Sequence, residues 1–176
     1  MYLFTWAVFV FLYMTQSTYF KSPIGLIQLT ADRDFITGIN FTEELETPNI
    51  QITSHNPVFQ NCINQLQKYF SGECISFQLK INQPGTGFQQ QVWAQLCHIK
   101  PGQTISYLEL SKRLGNTKAI RAAGTANGKN NIAIVVPCHR VIGSNGKLVG
   151  YAGGLWRKKW LLNHEAKFCN GQQLLF

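Results

Sequence analysis

TISYLELSKRLGNTKAIRAAGTANGKNNIAIVVPCHRVIG, residues 104–143, holds two short helical stretches, a β-branched run, and then a cysteine, a histidine and an arginine in succession. Each helical stretch opens on Ser or Thr chemistry suited to capping free N–H groups, and Gly115-Asn116 supplies a tight turn between them. Two short helices about such a turn make a helix-turn-helix, although helical hairpins also occur in all-α cores. Cys138 raises a separate question. A cysteine attacks as the thiolate, so a catalytic one needs a base or a positive charge within reach. His139 and Arg140 are its neighbours, but successive residues on an extended chain point to opposite faces, so His139 assists Cys138 only through a bend or a water. The plainer alternative is a buried cysteine beside an exposed histidine and arginine.

Charge is distributed unevenly around this stretch. Residues 1–84 carry four Lys/Arg against six Asp/Glu, whereas residues 85–176 carry twelve against two, a net +10. A single-sign field of that size fits a polyanionic partner, because a basic face gains affinity by releasing counterions from phosphates. The 176 residues, 45% of them apolar, suffice for one large domain or two small ones. From Tyr19 to Phe41, short apolar alternations broken by Ser-Pro and Ala-Asp-Arg-Asp read as antiparallel hairpins. NPVFQNCINQLQKYFSG reads as an amphipathic helix, with Asn56 as N-cap, Pro57 at the first position, and Val58, Phe59, Cys62, Ile63, Leu66 and Phe70 on one face. ISFQLKI, residues 75–81, reads as one more strand, and QPGTG, 83–87, as a linker. Beyond it, Phe88, Val92, Trp93 and Leu96 are spaced for one buried helical stripe.

NNIAIVVPCHRVIGSNGKLVGYAGGLWRKKWLLNHE, Asn130 to Glu165, closely resembles the O6-alkylguanine-DNA alkyltransferases, the suicidal direct-reversal DNA repair proteins. The resemblance extends upstream through ISYLELSKRLGNTKAIRAAGTANG and FQQQVW, and less strongly to Tyr19–Ile81. It implies an α+β fold: a small N-terminal RNase H-like antiparallel sheet with a helix, then a mainly helical winged helix-turn-helix domain. The division is placed at residues 19–84 and 85–176, after an apolar extension over 1–18. The resemblance also implies a reaction, irreversible transfer of the alkyl group of O6-alkylguanine, and of O4-alkylthymine, to Cys138 after base flipping. Glu165 would hold His139 as base, Asn130 would brace the turn carrying Cys138, and Tyr107 would donate to the guanine at N3. Arg121 would fill the vacated stack. Ala122, Ala123, Gly124, Ala126, Asn127 and Arg140 would face DNA from a helix laid in the minor groove. Val141, Tyr151, Ala152 and Gly153 would form the base pocket. The small residues of the 118–127 helix serve close approach to a duplex or tight packing in the core, and both can hold.

Three positions depart from the commoner family pattern. Asn131 replaces a proline after the asparagine, freeing the turn before the β-branched run, and Ala133 and Ala152 replace a proline and a serine, which leaves the limit on bulky alkyl groups open. No residues match the family's structural zinc set, so no metal is expected, and no cofactor. The expected partner is double-stranded DNA with O6-alkylguanine lesions, bound by a monomer in the cytoplasm, with no membrane association. Two competing readings are a lesion-binding relative without transfer, which Cys138 argues against, and a conventional cysteine hydrolase, which would turn over.

Five cysteines, Cys62, Cys74, Cys97, Cys138 and Cys169, form no CxxC pair and are odd in number, so a disulfide framework is disfavoured and a reducing compartment fits. Residues 1–14, MYLFTWAVFVFLYM, resemble the apolar part of a signal peptide or a short anchor, yet lack a basic n-region and a small-residue cleavage site. The reading preferred here is a natural start at Met14.

Overall fold

The structure, a computed structural model, describes residues 15–42, 56–73 and 76–170. The apolar stretch 1–14 and Cys74 lie outside the described residues. Among the described residues no helix is long and apolar enough to cross a membrane.

Three strands, β1 (Gln16–Ser22), β2 (Gly25–Asp32) and β3 (Phe35–Thr42), form an antiparallel sheet in that order. The first turn is tight because the Ser22 hydroxyl donates to the Gly25 carbonyl at 2.6 Å and Gly25 takes φ +110°, a conformation that favours glycine. A register shift at Thr30/Ala31 bends β2, and Gly38 lies opposite Thr30, whose hydroxyl occupies the space a Cβ would need. The inward face presents Ile27, Leu29, Ile36 and Ile39 to helix α1 (Pro57–Phe70). As the sequence predicts, Asn56 caps α1, its side chain accepting from Val58 N–H at 2.9 Å. Its buried stripe is Phe59, Cys62, Leu66 and Tyr69, so Tyr69 rather than Phe70 completes the inner face.

Over the described residues 76–81 the expected strand does not form. Residues 76–80 are irregular and only Ile81 bridges β3, at Ile36. The Gln65 side chain, reaching from α1, accepts from Gln78 N–H at 2.7 Å and donates to its carbonyl at 3.0 Å. A side chain thus takes the bonds a ladder would have used. Farther along β3, Ile39 N–H donates to Asn131 O at 2.8 Å and Ala133 N–H to Ile39 O at 2.9 Å, tying the sheet to the segment that leads to Cys138.

The second half packs α2 (Gly87–Cys97), α3 (Tyr107–Arg113), α4 (Ile120–Gly128) and α5 (Leu155–Asn170) around a short parallel pair, β4 (Ile105–Ser106) and β5 (Val141–Ile142). Helix α2 opens on a capping box between Thr86 and Gln89 and buries Val92, Trp93 and Leu96. Ser106 caps α3, Gly115 turns the chain at φ +75°, and Asn116 caps a short 3-10 turn leading into α4. Helices α3 and α4 form the expected helix-turn-helix, and α4 rests on α2 through Ala123, Ala126 and a 2.9 Å bond from Trp93 Nε1 to Ala126 O. The β-branched run is a turn rather than a strand: Val136 N–H returns to Ile132 O at 2.9 Å and Ile134 sits at φ +71°. Left-handed backbone at a β-branched residue is strained, and the burial of Ile134 holds it there.

Candidate active site

Cys138 opens a single 3-10 turn, Cys138–Arg140, between that strained segment and β5, and is only 6% exposed. Asn130 grips the turn. Its Nδ2 donates to Val136 O at 2.8 Å and to Cys138 Sγ at 3.1 Å, while its Oδ1 accepts from Ile132 N–H at 3.0 Å. An oxygen occupied by a backbone donor leaves only the amide NH2 to face the sulfur. Burial pushes the Cys138 thiol above its ordinary value, and the Asn130 bond and the charge of Lys158 pull it back.

His139 is fully buried, with Nε2 2.9 Å from Glu165 Oε1. A carboxylate only accepts, so this nitrogen carries the proton and Nδ1 keeps its lone pair. That Nδ1 is buried and has no hydrogen-bond partner among the described residues. Burial lowers the basicity of His139, against the raising effect of Glu165, which keeps the ring neutral near pH 7. Glu165 is itself buried. Desolvation pushes its carboxyl up, but at the acid pH where a carboxyl titrates His139 is protonated, and its charge and hydrogen bond, with those of Arg140, outweigh this and hold Glu165 well below the usual carboxylate range. Arg140 straddles it, Nε to Oε2 at 2.9 Å and Nη2 to Oε1 at 2.8 Å, and Gly102 N–H adds a bond to Oε2 at 3.0 Å. The arrangement offers a buried thiol, a neutral imidazole held in one tautomer, and a carboxylate that orients it.

Two family models cover most of the chain: the 6-O-methylguanine DNA methyltransferase ribonuclease-like domain matches residues 15–83, and the DNA binding domain of the same methyltransferase matches residues 87–167. The chain belongs to the 6-O-methylguanine DNA methyltransferase family. A methylated-DNA--protein-cysteine methyltransferase of Methanosarcina acetivorans is 46% identical over 149 residues, 83% of this chain and 95% of that one. Its namesake from Mycobacterium tuberculosis H37Rv is 42% identical over 156 residues, 88% of this chain and 94% of that one. Among solved structures, Mycobacterium tuberculosis O6-methylguanine methyltransferase superposes with a TM-score of 0.77 at 41% identity, covering 88% of this chain and 94% of its own. The Mycobacterium tuberculosis OGT protein in complex with DNA superposes at 0.76 and 41% identity, covering 86% and 92%.

Within this methyltransferase family member, the other residues singled out from sequence divide into four groups. Tyr107, at the start of α3, turns its hydroxyl to Val149 O at 3.4 Å, and burial and the nearby Cys138 push that hydroxyl up. Val141 is buried below the turn, and Tyr151, Ala152 and Gly153 lie in the loop before α5. A Cβ at Gly153 would meet the rings of Phe41 and Tyr151 within 2.9 Å, so this loop closes tightly on the sheet. On α4, Arg121 and Ala122 face outward with Thr125 and Gly128, and Gly124 is half-buried. Ala123, Ala126 and Asn127 point inward, with Asn127 Nδ2 donating to Cys138 O at 3.3 Å, so these three side chains are packing and turn-bracing groups rather than DNA contacts. Arg140 is a second correction. It is 5% exposed and spends its guanidinium on Glu165 and the Ile99 carbonyl, so it cannot reach a phosphate. The third correction concerns disulfides, because Cys169 is disulfide-bonded while Cys62, Cys97 and Cys138 are free thiols. Among the described residues no cluster of His, Cys, Asp or Glu could hold a metal ion.

Sequence reasoning missed Lys158. It is 0% exposed, and its ammonium donates to Val141 O at 2.7 Å, Val149 O at 2.8 Å and Gly150 O at 3.3 Å, joining β5 to the loop over the site. Burial pushes its pKa down to about 8, with Cys138 pulling the other way. A signal was present: Lys158, Leu161, Leu162 and Glu165 share one stripe at helical spacing, so Lys158 had to point inward. Lys158→Met keeps the length and removes the donors, taking the ammonium from the Val141 and Gly150 carbonyls and leaving Val149 O with only the long Tyr107 contact. A loss of about 3 kcal/mol in unfolding free energy is expected, read by denaturant melts, with slower transfer in the protein that stays folded.

Proposed function

We propose that this chain is a single-turnover DNA repair protein that transfers the alkyl group of O6-alkylguanine, and of O4-alkylthymine, in duplex DNA to Cys138. The observation that carries the reading is the contact of Asn130 Nδ2 with Cys138 Sγ at 3.1 Å beside a His139–Glu165 pair at 2.9 Å. The thiol proton passes to His139 Nδ1 through a water. The sulfur then attacks the alkyl carbon in line: an S–C bond forms, the C–O6 bond breaks, and its electron pair returns to the guanine ring, which Tyr107 helps to neutralise by donating at N3. A thioether has no leaving group at neutral pH, so each molecule reacts once and needs no cofactor.

Cys138 lies buried beneath the Tyr151–Gly154 loop, too deep to meet a base inside the stack, so the damaged nucleotide must rotate out. Val141, Tyr151, Ala152 and Gly153 receive it, and Arg121, exposed near the start of α4, takes its place. The small outward residues of α4 favour approach to a minor groove, where contacts carry little sequence information and suit a search for lesions. The division at residues 84 and 85 is supported by the linker Pro84-Gly85, which falls between the two family matches. The protein acts as a monomer in the cytoplasm.

The direct test is intact-mass measurement after mixing with duplex DNA carrying one O6-methylguanine. One methyl group on Cys138 supports the reading, whereas repaired or cleaved product without an adduct points to a hydrolase, and an unchanged protein to a binding module. Affinity for undamaged duplex should fall with a log–log salt slope of about −0.9 per phosphate neutralised. Arg121→Ala should slow repair in duplex about tenfold more than reaction with free O6-benzylguanine, which needs no flipping. Equal losses on the two substrates would reassign Arg121 to folding.

A further inference from the structure

Two polar side chains of the first half of the chain reach the two ends of the candidate relay. Tyr69, on α1 and 3% exposed, donates its hydroxyl to Glu165 Oε1 at 2.9 Å, the same oxygen that holds His139 Nε2. Gln83, in the linker and 7% exposed, donates Nε2 to Asn130 Oδ1 at 3.1 Å, on the amide whose other end touches Cys138 Sγ. We propose that Tyr69 and Gln83 are positioning residues for alkyl transfer, Tyr69 acting through Glu165 on His139 and Gln83 acting through Asn130 on Cys138. The inference rests on the transfer reading above and adds that the ribonuclease-like half tunes the reaction it does not perform.

The two bonds act differently. Oε1 of Glu165 already accepts from His139 and from Arg140 Nη2, so a third donor is not needed to satisfy it. What Tyr69 does is draw density from that oxygen and weaken its hold on the His139 proton, which favours a neutral imidazole able to act as base. Burial and the Glu165 charge push the Tyr69 hydroxyl well above its ordinary value, so it remains a donor throughout the working range. Its ring is fixed edge-on to Phe70, with centroids 5.3 Å apart, and α5 is latched beside it by His164 Nε2, 2.7 Å from Tyr69 O. Gln83 works on the nucleophile. By pinning Asn130 Oδ1 together with Ile132 N–H, it holds the amide NH2 on the sulfur and polarises it, strengthening the bond that stabilises a thiolate. The linker is itself held, because the Gln90 side chain donates to Gln83 O. The titratable and charged groups facing His139 and Cys138 are Tyr69 from α1, Tyr107 from α3, Arg140 beside the relay, Tyr151 from the loop, and Lys158 and Glu165 from α5. Among the described residues, only Tyr69 comes from the first half.

The test is the pH–rate profile of single-turnover transfer from free O6-benzylguanine to full-length wild type, Tyr69→Phe and Gln83→Met, with thermal unfolding of each. Tyr69→Phe should move the acid limb, set by His139, up by about half a pH unit and leave the thiol limb in place. Gln83→Met should move the thiol limb up and slow transfer about three- to tenfold at pH 7, leaving the acid limb in place. Profiles that superpose on wild type, or two variants that shift both limbs alike as a general loosening would, overturn the inference. Wild type that forms no Cys138 adduct overturns the transfer reading itself and the inference with it, an outcome distinct from wild-type transfer with unshifted variants.

Discussion

Cys138→Ala protein is expected to acquire no alkyl group from O6-methylguanine duplex while binding that duplex about as tightly as wild type. The loss is total because Cys138 supplies both the nucleophile and the final resting place of the alkyl group, and neither Cys62 nor Cys97 can substitute. Cys62 is buried on the inner face of α1, where desolvation pushes its thiol up to about 12, and Cys97 lies at the far end of α2 with its thiol also raised by burial. Binding survives because the exposed cations on and around α4, Lys118, Arg121 and Lys129 among them, are untouched. Alanine fits the turn, whose backbone bonds, Cys138 N–H to Val136 O at 2.8 Å and Arg140 N–H to Pro137 O at 3.0 Å, need no side chain. Intact mass and fluorescence anisotropy read the two quantities, and a methyl group gained by the alanine protein would refute the assignment of Cys138.

Glu165→Gln should be the most damaging conservative change in the molecule, because this carboxylate serves two charged or chargeable partners at once. Glutamine leaves the Arg140 guanidinium as an uncompensated buried cation and presents either an amide NH2 or a carbonyl to His139, so the tautomer is no longer fixed. Removing one partner of a buried pair costs about 3–5 kcal/mol, which calorimetry or urea melts would read. Loss of an oriented base should slow transfer by about a hundredfold or more in the fraction that stays folded. The pH dependence provides a separate check. A carboxyl held below its ordinary value of 4.5 contributes stability that is fully present above that value and is lost as pH falls below it. Wild type should therefore lose stability steeply on acidification through the carboxylate range, and the glutamine variant should show a shallower slope there. Parallel slopes would mean that Glu165 is not the group titrating.

Much of the chemistry was legible locally. Asn130, Cys138, His139 and Glu165 were singled out together, and the structure brings them into one hydrogen-bonded chain apart from the His139-to-sulfur step. Cap residues Asn56 and Ser106 and the turn at Gly115 were readable because capping and left-handed backbone depend on a few adjacent residues. The failures have a common cause. Alternation in 75–81 could not show that Gln65 would claim its backbone, and a Cys-His-Arg run could not show that the arginine would turn inward to a carboxylate 25 residues away. The contacts of Tyr69 and Gln83, 96 and 47 residues from their partners, leave no local pattern at all. Lys158 differs, since its place on the α5 stripe made it findable, but it was hidden in a run of basic residues that reads as solvent-facing.

The backbone link between Ile39 and the segment 131–133 bears on the order of folding. It joins the middle of β3 to residues that follow four helical segments in the chain, so the turn carrying Cys138 cannot be completed until almost the whole polypeptide has been synthesised and both halves have met. Closing so long a loop is slow compared with forming the helices on either side of it. During that interval the cysteine has neither its amide donor nor its oriented base, and an ordinary thiol is a poor nucleophile at neutral pH. A protein that can react only once therefore has its reactivity withheld from nascent and half-assembled chains by topology, and the single alkyl acceptor is spent only by molecules whose DNA-reading surface is already in place.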